Sequence, residues 1–140
     1  MNPSSLDQIS RTQLLHQLVM QVNFYELNLI DDGKLKYAVI LAKYNDQWVY
    51  VKHKERQTWE IPGGRREANE SIEATARIEL FEETGALTFN LSPLSVYSVK
   101  RDRDDESYGA LFYAEVLELG PLPADSEIGQ IRIMQGLPSD

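Results

Sequence analysis

Between Glu70 and Glu83 the sequence has its clearest helical pattern, and three acids within it, Glu79, Glu82 and Glu83, lie three and four residues apart. That spacing places all three carboxylates within about 100° of arc on one helix face. On a helical wheel Ile72, Ala76 and Leu80 fall on one flank and Ala74, Ile78 and Phe81 on the other, while Glu73 and Arg77 take the solvent sector. The acids are therefore bracketed by apolar side chains. At a separation of roughly 6 Å and an effective dielectric of roughly 20, each carboxylate pair repels by about 3 kcal/mol. Such a face calls for a proton on one acid, arginines beside them, or bound cations. A glutamate-rich surface helix is the plain alternative.

Strand-like segments surround this helix. An N-terminal helix is expected over about residues 4–21, capped by Ser4 or Ser5, lying outside the domain or serving as the arm of a homodimer. Residues 22–30 read as extended, and Asp31-Asp32-Gly33-Lys34 as a turn in which Gly33 takes positive φ. The continuous apolar run within 35–43 suits a strand buried on both faces. A turn at Asn45 and Asp46 leads into the alternating strand 48–53, so these two strands form a hairpin. Residues 54–69 are mainly loop, and Gly85 suits the left-handed end of the central helix. Pro93 breaks the next stretch, leaving strands at 94–100, 108–119 and 131–134, with a charged loop at 100–106. No repeat or linker divides the chain, so residues 1–140 read as one α+β domain, a mixed sheet with helices packed against it.

Composition narrows the chemistry. The 140 residues include no cysteine, which removes disulfides, thiolate metal sites and cysteine nucleophiles. A net charge of −8 argues against extended nucleic-acid partners. No apolar run reaches the roughly 18 residues of a membrane span, and the N-terminus lacks a secretory pattern, so a cytoplasmic location is expected. A phosphate ester could bind so acidic a chain if clustered carboxylates held a divalent cation that inverted the local field.

The run Trp59-Glu60-Ile61-Pro62-Gly63-Gly64-Arg65-Arg66-Glu67 leads into the acidic helix, and its paired glycines let the backbone approach a ligand closely. Gly64, five intervening residues, Glu70, seven more, then Ile78-Glu79-Leu80-Phe81-Glu82-Glu83-Thr84-Gly85-Ala86 resembles the box of the Nudix (MutT-like) hydrolases, spanning residues 64–86. The resemblance implies a Nudix fold, a mixed sheet sandwiched between helices with a loop–helix–loop box. It also implies hydrolysis of a nucleoside diphosphate linked to another moiety, foremost a nucleoside triphosphate, by water attacking phosphorus at a phosphoanhydride. Matched to the family pattern, Glu79, Glu82, Glu83 and the Gly64 carbonyl are the expected metal ligands, and Glu70 is the loop glutamate. Hard oxygen donors select Mg²⁺ or Mn²⁺.

Three positions depart from the family pattern: Ile78 replaces the box arginine, Asn69 a frequent glycine, and Ala86 a bulkier apolar residue. Arg77 points about 160° from Glu79 and cannot replace the missing guanidinium, leaving Arg65, Arg66, Arg101 or Arg103 to supply it. The alternative function is a nucleotide-binding sensor that keeps the fold with weakened or lost catalysis. Glu79 or Glu127 is the candidate base, with Glu106 and Glu115 as weaker options. Arg56, Lys52 and Arg65 are the candidate phosphate contacts. Phe24, Tyr37 and Tyr108 are conceivable stacking residues that read more readily as core, Trp59 is expected beneath the box, and His16 and His53 form no metal pair.

Overall fold

The apolar run at 35–43 becomes the spine of the molecule. In the computed structural model, which describes residues 21–101 and 105–135, the chain runs β1 (Gln21–Tyr25), β2 (Leu35–Tyr44), β3 (Gln47–His53), β4 (Gly63–Arg65), α1 (Ile72–Thr84), β5 (Ala86–Arg101), β6 (Asp105–Leu119) and β7 (Ile128–Met134). The strands form one mixed sheet in the order β1-β5-β6-β2-β3-β7, with β4 also paired to β2. Ala38, Ile40 and Ala42 of β2 point into the core against Ala76 and Leu80 of α1. Tyr37, Val39 and Leu41 alternate onto the opposite face and are only partly covered.

On one side β2 pairs in parallel with β6 from Leu35 to Tyr44. On the other, β3 pairs with β2 only at Lys43↔Trp48 and Tyr44↔Gln47, through a turn whose Asn45 and Asp46 take φ of 51° and 62°. Two residues at positive φ match the twist of a tight hairpin, and Asn and Asp tolerate that geometry. Beyond the hairpin the strands part, and residues 60–65 fill the gap. Glu60 bridges to Val51 of β3, while β4 pairs with β2 through Val39↔Gly63, Ala38↔Gly64 and Tyr37↔Arg65. This parting of β2 and β3 positions the site.

Local chemistry sets the ends of α1. Ser71 Oγ accepts the Ala74 N–H at 3.0 Å, and Gly85, at φ 81°, donates its N–H to Phe81 O at 2.8 Å. The helix therefore starts at Ile72, and Glu70 belongs to the loop. Ala76 and Leu80 are sealed, but the second flank is open: Ile78 and Phe81 are 38% and 42% exposed. The acids thus have apolar burial on one side only.

Several expectations are corrected. The first strand ends at Tyr25, not near Ile30, and Asn28 rather than Gly33 takes positive φ, since Asp32–Lys34 is a single 3-10 turn. Pro93 does not break β5. The ladder to β6 shifts register between Pro93 and Ser95, and a bulge accommodates a residue with no N–H to donate. The charged loop at 100–106 is largely ladder, with Lys100↔Glu106 and Arg101↔Asp105 facing each other across β5 and β6. Apart from Gln21, which opens β1, the helix expected over 4–21 lies outside the described residues, as does Arg103. Among the described residues no helix is long and apolar enough to cross a membrane.

The αL setting of Gly85 gives a direct test. A Cβ there would also meet the carbonyls of Gly120 and Pro121. Gly85→Ala should lower unfolding free energy by about 1–3 kcal/mol, read by urea denaturation.

Candidate active site

Where β2 and β3 part, a cleft of about 640 Å³ opens at the glycine loop. Its charged lining is Glu60, Glu67, Glu79, Glu82, Glu83, Asp125 and Glu127, with Arg56, Arg65 and His53, and its uncharged part includes Tyr37, Val39 and Ile61. All three helix glutamates expected to act together therefore share one cleft, and Glu127 joins them from the segment before β7. Ser126 explains how. Its hydroxyl donates to the Glu82 carbonyl at 2.7 Å and accepts the Ile128 N–H at 3.1 Å, which pins that segment to the end of α1. Lys54 N–H donates to the Glu127 carbonyl at 2.9 Å and holds the other side.

The loop glycines are required by space. A Cβ on Gly64 would come within 2.7 Å of Glu79 Oε1, so the Glu79 carboxylate rests directly against the bare backbone. The Gly63 N–H donates to Glu83 Oε1 at 3.0 Å. A side chain at position 64 would fill the space that the carboxylate occupies.

The electrostatics follow from burial. Glu79 is pushed up to about 7 from the ordinary 4.5, first by burial and then by the charges of Glu83, Glu82, Glu70 and Glu127. Glu83 is also pushed up to about 7, again mainly by burial. The Gly63 hydrogen bond opposes that shift, Glu127 and Glu60 add to it, and Arg56 opposes it. Both carboxylates are raised because negative charge accumulates where water is scarce. Among the described residues no three His, Asp or Glu side chains already converge as a finished cation site. The donors line the walls of the cleft.

The other expected residues fall into place as follows. Arg56 lines the cleft, and its Nη1 lies 2.7 Å from Glu60 Oε1. Arg65 lines it as well, but Lys52 does not: its ammonium lies 5.7 Å from the centre of the Trp59 ring, which Arg132 approaches to 4.5 Å. Trp59 thus packs with the side chains of Lys52 and Arg132 from β3 and β7, not beneath the box. Arg66 closes the loop by donating to the carbonyls of Asp32, Leu35 and Glu70 and to Asp32 Oδ2, so it is not the substitute for the missing arginine. Arg77 pairs with Glu73 on the solvent side, and Arg101 stands in the ladder opposite Asp105. Arg65 is the one candidate substitute that reaches the cleft among the described residues.

Glu70 accepts from Glu67 N–H and Thr75 Oγ1, which makes it a loop brace. Asn69 takes φ 67°, the left-handed setting for which it is suited. Glu106 and Glu115 accept from Tyr108 and Tyr113 and do not line the cleft. Several polar lining residues, His53, Glu60, Glu67, Asp125 and Ser126, were not singled out as site residues from the sequence. His53 Nε2 lies 3.7 Å from Glu83 Oε2, and Glu60 sits beside Arg56. The available signal for His53 was its phase in β3, where it continues the alternation of Val49 and Val51, the residues of β3 that face the core.

Comparison with known proteins agrees with this geometry. The NUDIX domain family model matches residues 31–135, which include every strand from β2 onward and the whole cleft. The chain belongs to the NUDIX family. Two relatives from Bacillus subtilis (strain 168), each described as a putative 8-oxo-dGTP diphosphatase, are 32% identical over 78 residues and 31% identical over 84. Those matches cover 56% and 60% of this chain but 50% and 51% of the relatives, so the chain spans about half the length of the curated proteins it matches. The crystal structure of a point mutant of the Bacillus subtilis pyrophosphohydrolase BsRppH superposes with a TM-score of 0.70 at 26% identity, covering 86% of this chain and 74% of that one. A UDP-X diphosphatase structure shares the fold at TM-score 0.60 and 16% identity, covering 92% of this chain and 59% of that one.

The raised carboxyls of this NUDIX cleft predict an inverted stability profile. A glutamate at 4.5 unfolded and about 7 folded binds more protons in the folded state, so its stabilising effect is complete below 4.5 and lost as pH rises through 7. Chelator-treated protein should therefore melt at lower temperature at pH 8 than at pH 5.5, and Glu79→Gln should flatten that slope. Scanning calorimetry across the range checks both.

Proposed function

We propose that this chain is a divalent-cation-dependent hydrolase of nucleoside diphosphate derivatives, with nucleoside triphosphates as the first substrate class. The observation that carries this reading is the burial of Glu79 and Glu83 against the glycine loop, both raised to about 7 by the crowding of like charges. A cleft in which the charges pressing on Glu79 are the carboxylates of Glu83, Glu82, Glu70 and Glu127 suits an ion of double charge. Glu79, Glu82, Glu83 and the Gly64 carbonyl offer only hard oxygen donors, which fit Mg²⁺ or Mn²⁺. Such an ion, when bound, neutralises phosphate charge and acidifies water.

The chain's own residues complete the chemistry. Arg65 and Arg56 stand at the cleft to take up phosphate oxygens, where a guanidinium can bind two at once. Glu127, whose charge acts on both Glu79 and Glu83, is in this reading the acceptor for the proton of an attacking water, with Glu79 as the other candidate. The names of the B. subtilis relatives, 8-oxo-dGTP diphosphatase and pyrophosphohydrolase, support a phosphoanhydride as the bond broken. One observation favours the second reading, a nucleotide sensor without turnover: Ile78 stands where the family arginine is expected, and it faces solvent.

A panel of nucleoside tri- and diphosphates and nucleotide sugars, assayed with Mg²⁺ or Mn²⁺ for phosphate release, separates the two readings. Glu82→Gln should abolish cation-dependent turnover with the fold intact by circular dichroism, and unchanged turnover would remove the cation assignment. Glu127→Gln should lower kcat about 10²- to 10⁴-fold with little change in KM if Glu127 is the base. An unaffected kcat transfers that role to Glu79. Ile78→Arg should preserve or raise activity.

A further inference from the structure

The acidic part of the cleft accounts for phosphate and cation, but a nucleoside also presents an uncharged, flat ring system that needs a different surface. Within the cleft that surface is the β2 face formed by Tyr37 and Val39, with Ile61 beside it. Tyr37 is the one Phe, Tyr or Trp among the described residues lining the cleft, and it is 36% exposed. Of the other two aromatics considered from sequence, Tyr108 packs at a ring-centre distance of 6.4 Å from Tyr25 beside the core. Phe24 is 66% exposed on β1 but does not line the cleft.

Tyr37 belongs to a row that crosses the sheet. In register, Phe24 faces Tyr97, Tyr97 faces Gly109, Gly109 faces Tyr37, and Tyr37 faces Arg65. Residues in register share a face, so all of these side chains stand on the side opposite α1. Gly109 has a spatial reason. A Cβ there would collide with Cζ, Cε1 and the hydroxyl of Tyr97, so the far end of that ring occupies the space over the bare backbone of Gly109. Burial, and after it the nearness of Tyr37, push the Tyr97 hydroxyl pKa up. In register, Tyr37 therefore has Gly109, with the end of the Tyr97 ring over it, on one side and Arg65 on the other.

We propose that the Tyr37 ring is the surface on which the nucleobase stacks while the phosphates lie toward Arg65 and the carboxylates. This deepens the functional reading above, since it rests on a nucleotide occupying the cleft. Stacking reads the face of a base and not its hydrogen-bonding edge, so it tolerates different bases.

The test compares affinities by calorimetry in Mg²⁺ for two ligands, the non-hydrolysable α,β-methylene analogue of dGTP and inorganic tripolyphosphate, which has no base. Tyr37→Ala should weaken the analogue by about tenfold or more, the range expected when one base–aromatic stack is lost. It should leave tripolyphosphate within about twofold, while Tyr37→Phe keeps both affinities. Equal weakening of both ligands, no weakening of either, or a wild type that binds the analogue no more tightly than tripolyphosphate each overturns the assignment. Turnover of dGTP by the same wild-type preparation is a separate readout. Tight, Tyr37-dependent binding without cleavage would leave the stacking role standing and overturn the hydrolase reading alone.

Discussion

The sealing of Ala76 and Leu80 against β2 governs the rest of the structure, because it sets the rotation of α1. With those two side chains inward, Glu79 and Glu83 have no other direction than the cleft. Fully burying a leucine contributes about 1.5–3 kcal/mol, comparable to the repulsion of one close carboxylate pair at intermediate dielectric. The core therefore holds the acids together against their own charge. The helix ends assist, since the Ser71 cap and the Gly85 turn stop α1 from sliding along its axis.

The second requirement is the parting of β2 and β3. Had β3 followed β2 along its length, β4 would have no place in the sheet and Gly64 would not reach Glu79. The two-pair hairpin, the Val51–Glu60 bridge and the β4 pairing together hold the glycine loop within the sheet, so its backbone is supported by ladder hydrogen bonds. A loop so held keeps its shape while carrying functional groups, which is what a site for a small, multiply charged ligand needs.

How much of this was legible depended on sequence distance. Gly64, Glu79, Glu82 and Glu83 could be read because they lie in one contiguous stretch, where helix periodicity alone sets their geometry. The fold class and family were legible for the same reason. His53 and Glu60 as cleft residues were not, and Tyr37 could not be told from a core residue, because their places depend on where β3 leaves β2, and no local pattern encodes that point. Lys52 was misassigned by proximity along the chain: strand alternation sends it to the opposite face from His53, over Trp59. The wheel correctly grouped Ile78 with Phe81, yet a wheel cannot tell which of two apolar flanks meets the sheet. Pro93 signalled a break, and the long β5–β6 ladder absorbed it as a bulge.

The hydrogen bond from Ser126 to the carbonyl of Glu82 joins residues 44 apart in the chain. Between them lie the whole of β5 and β6, and the parallel pairing of β6 with β2 lies within that span. Closing loops of that length is entropically costly and slow compared with forming α1 or the β2–β3 hairpin. The cleft therefore depends on contacts far apart in the sequence. A chain interrupted after α1 would carry all three helix glutamates and still lack the far wall of its site.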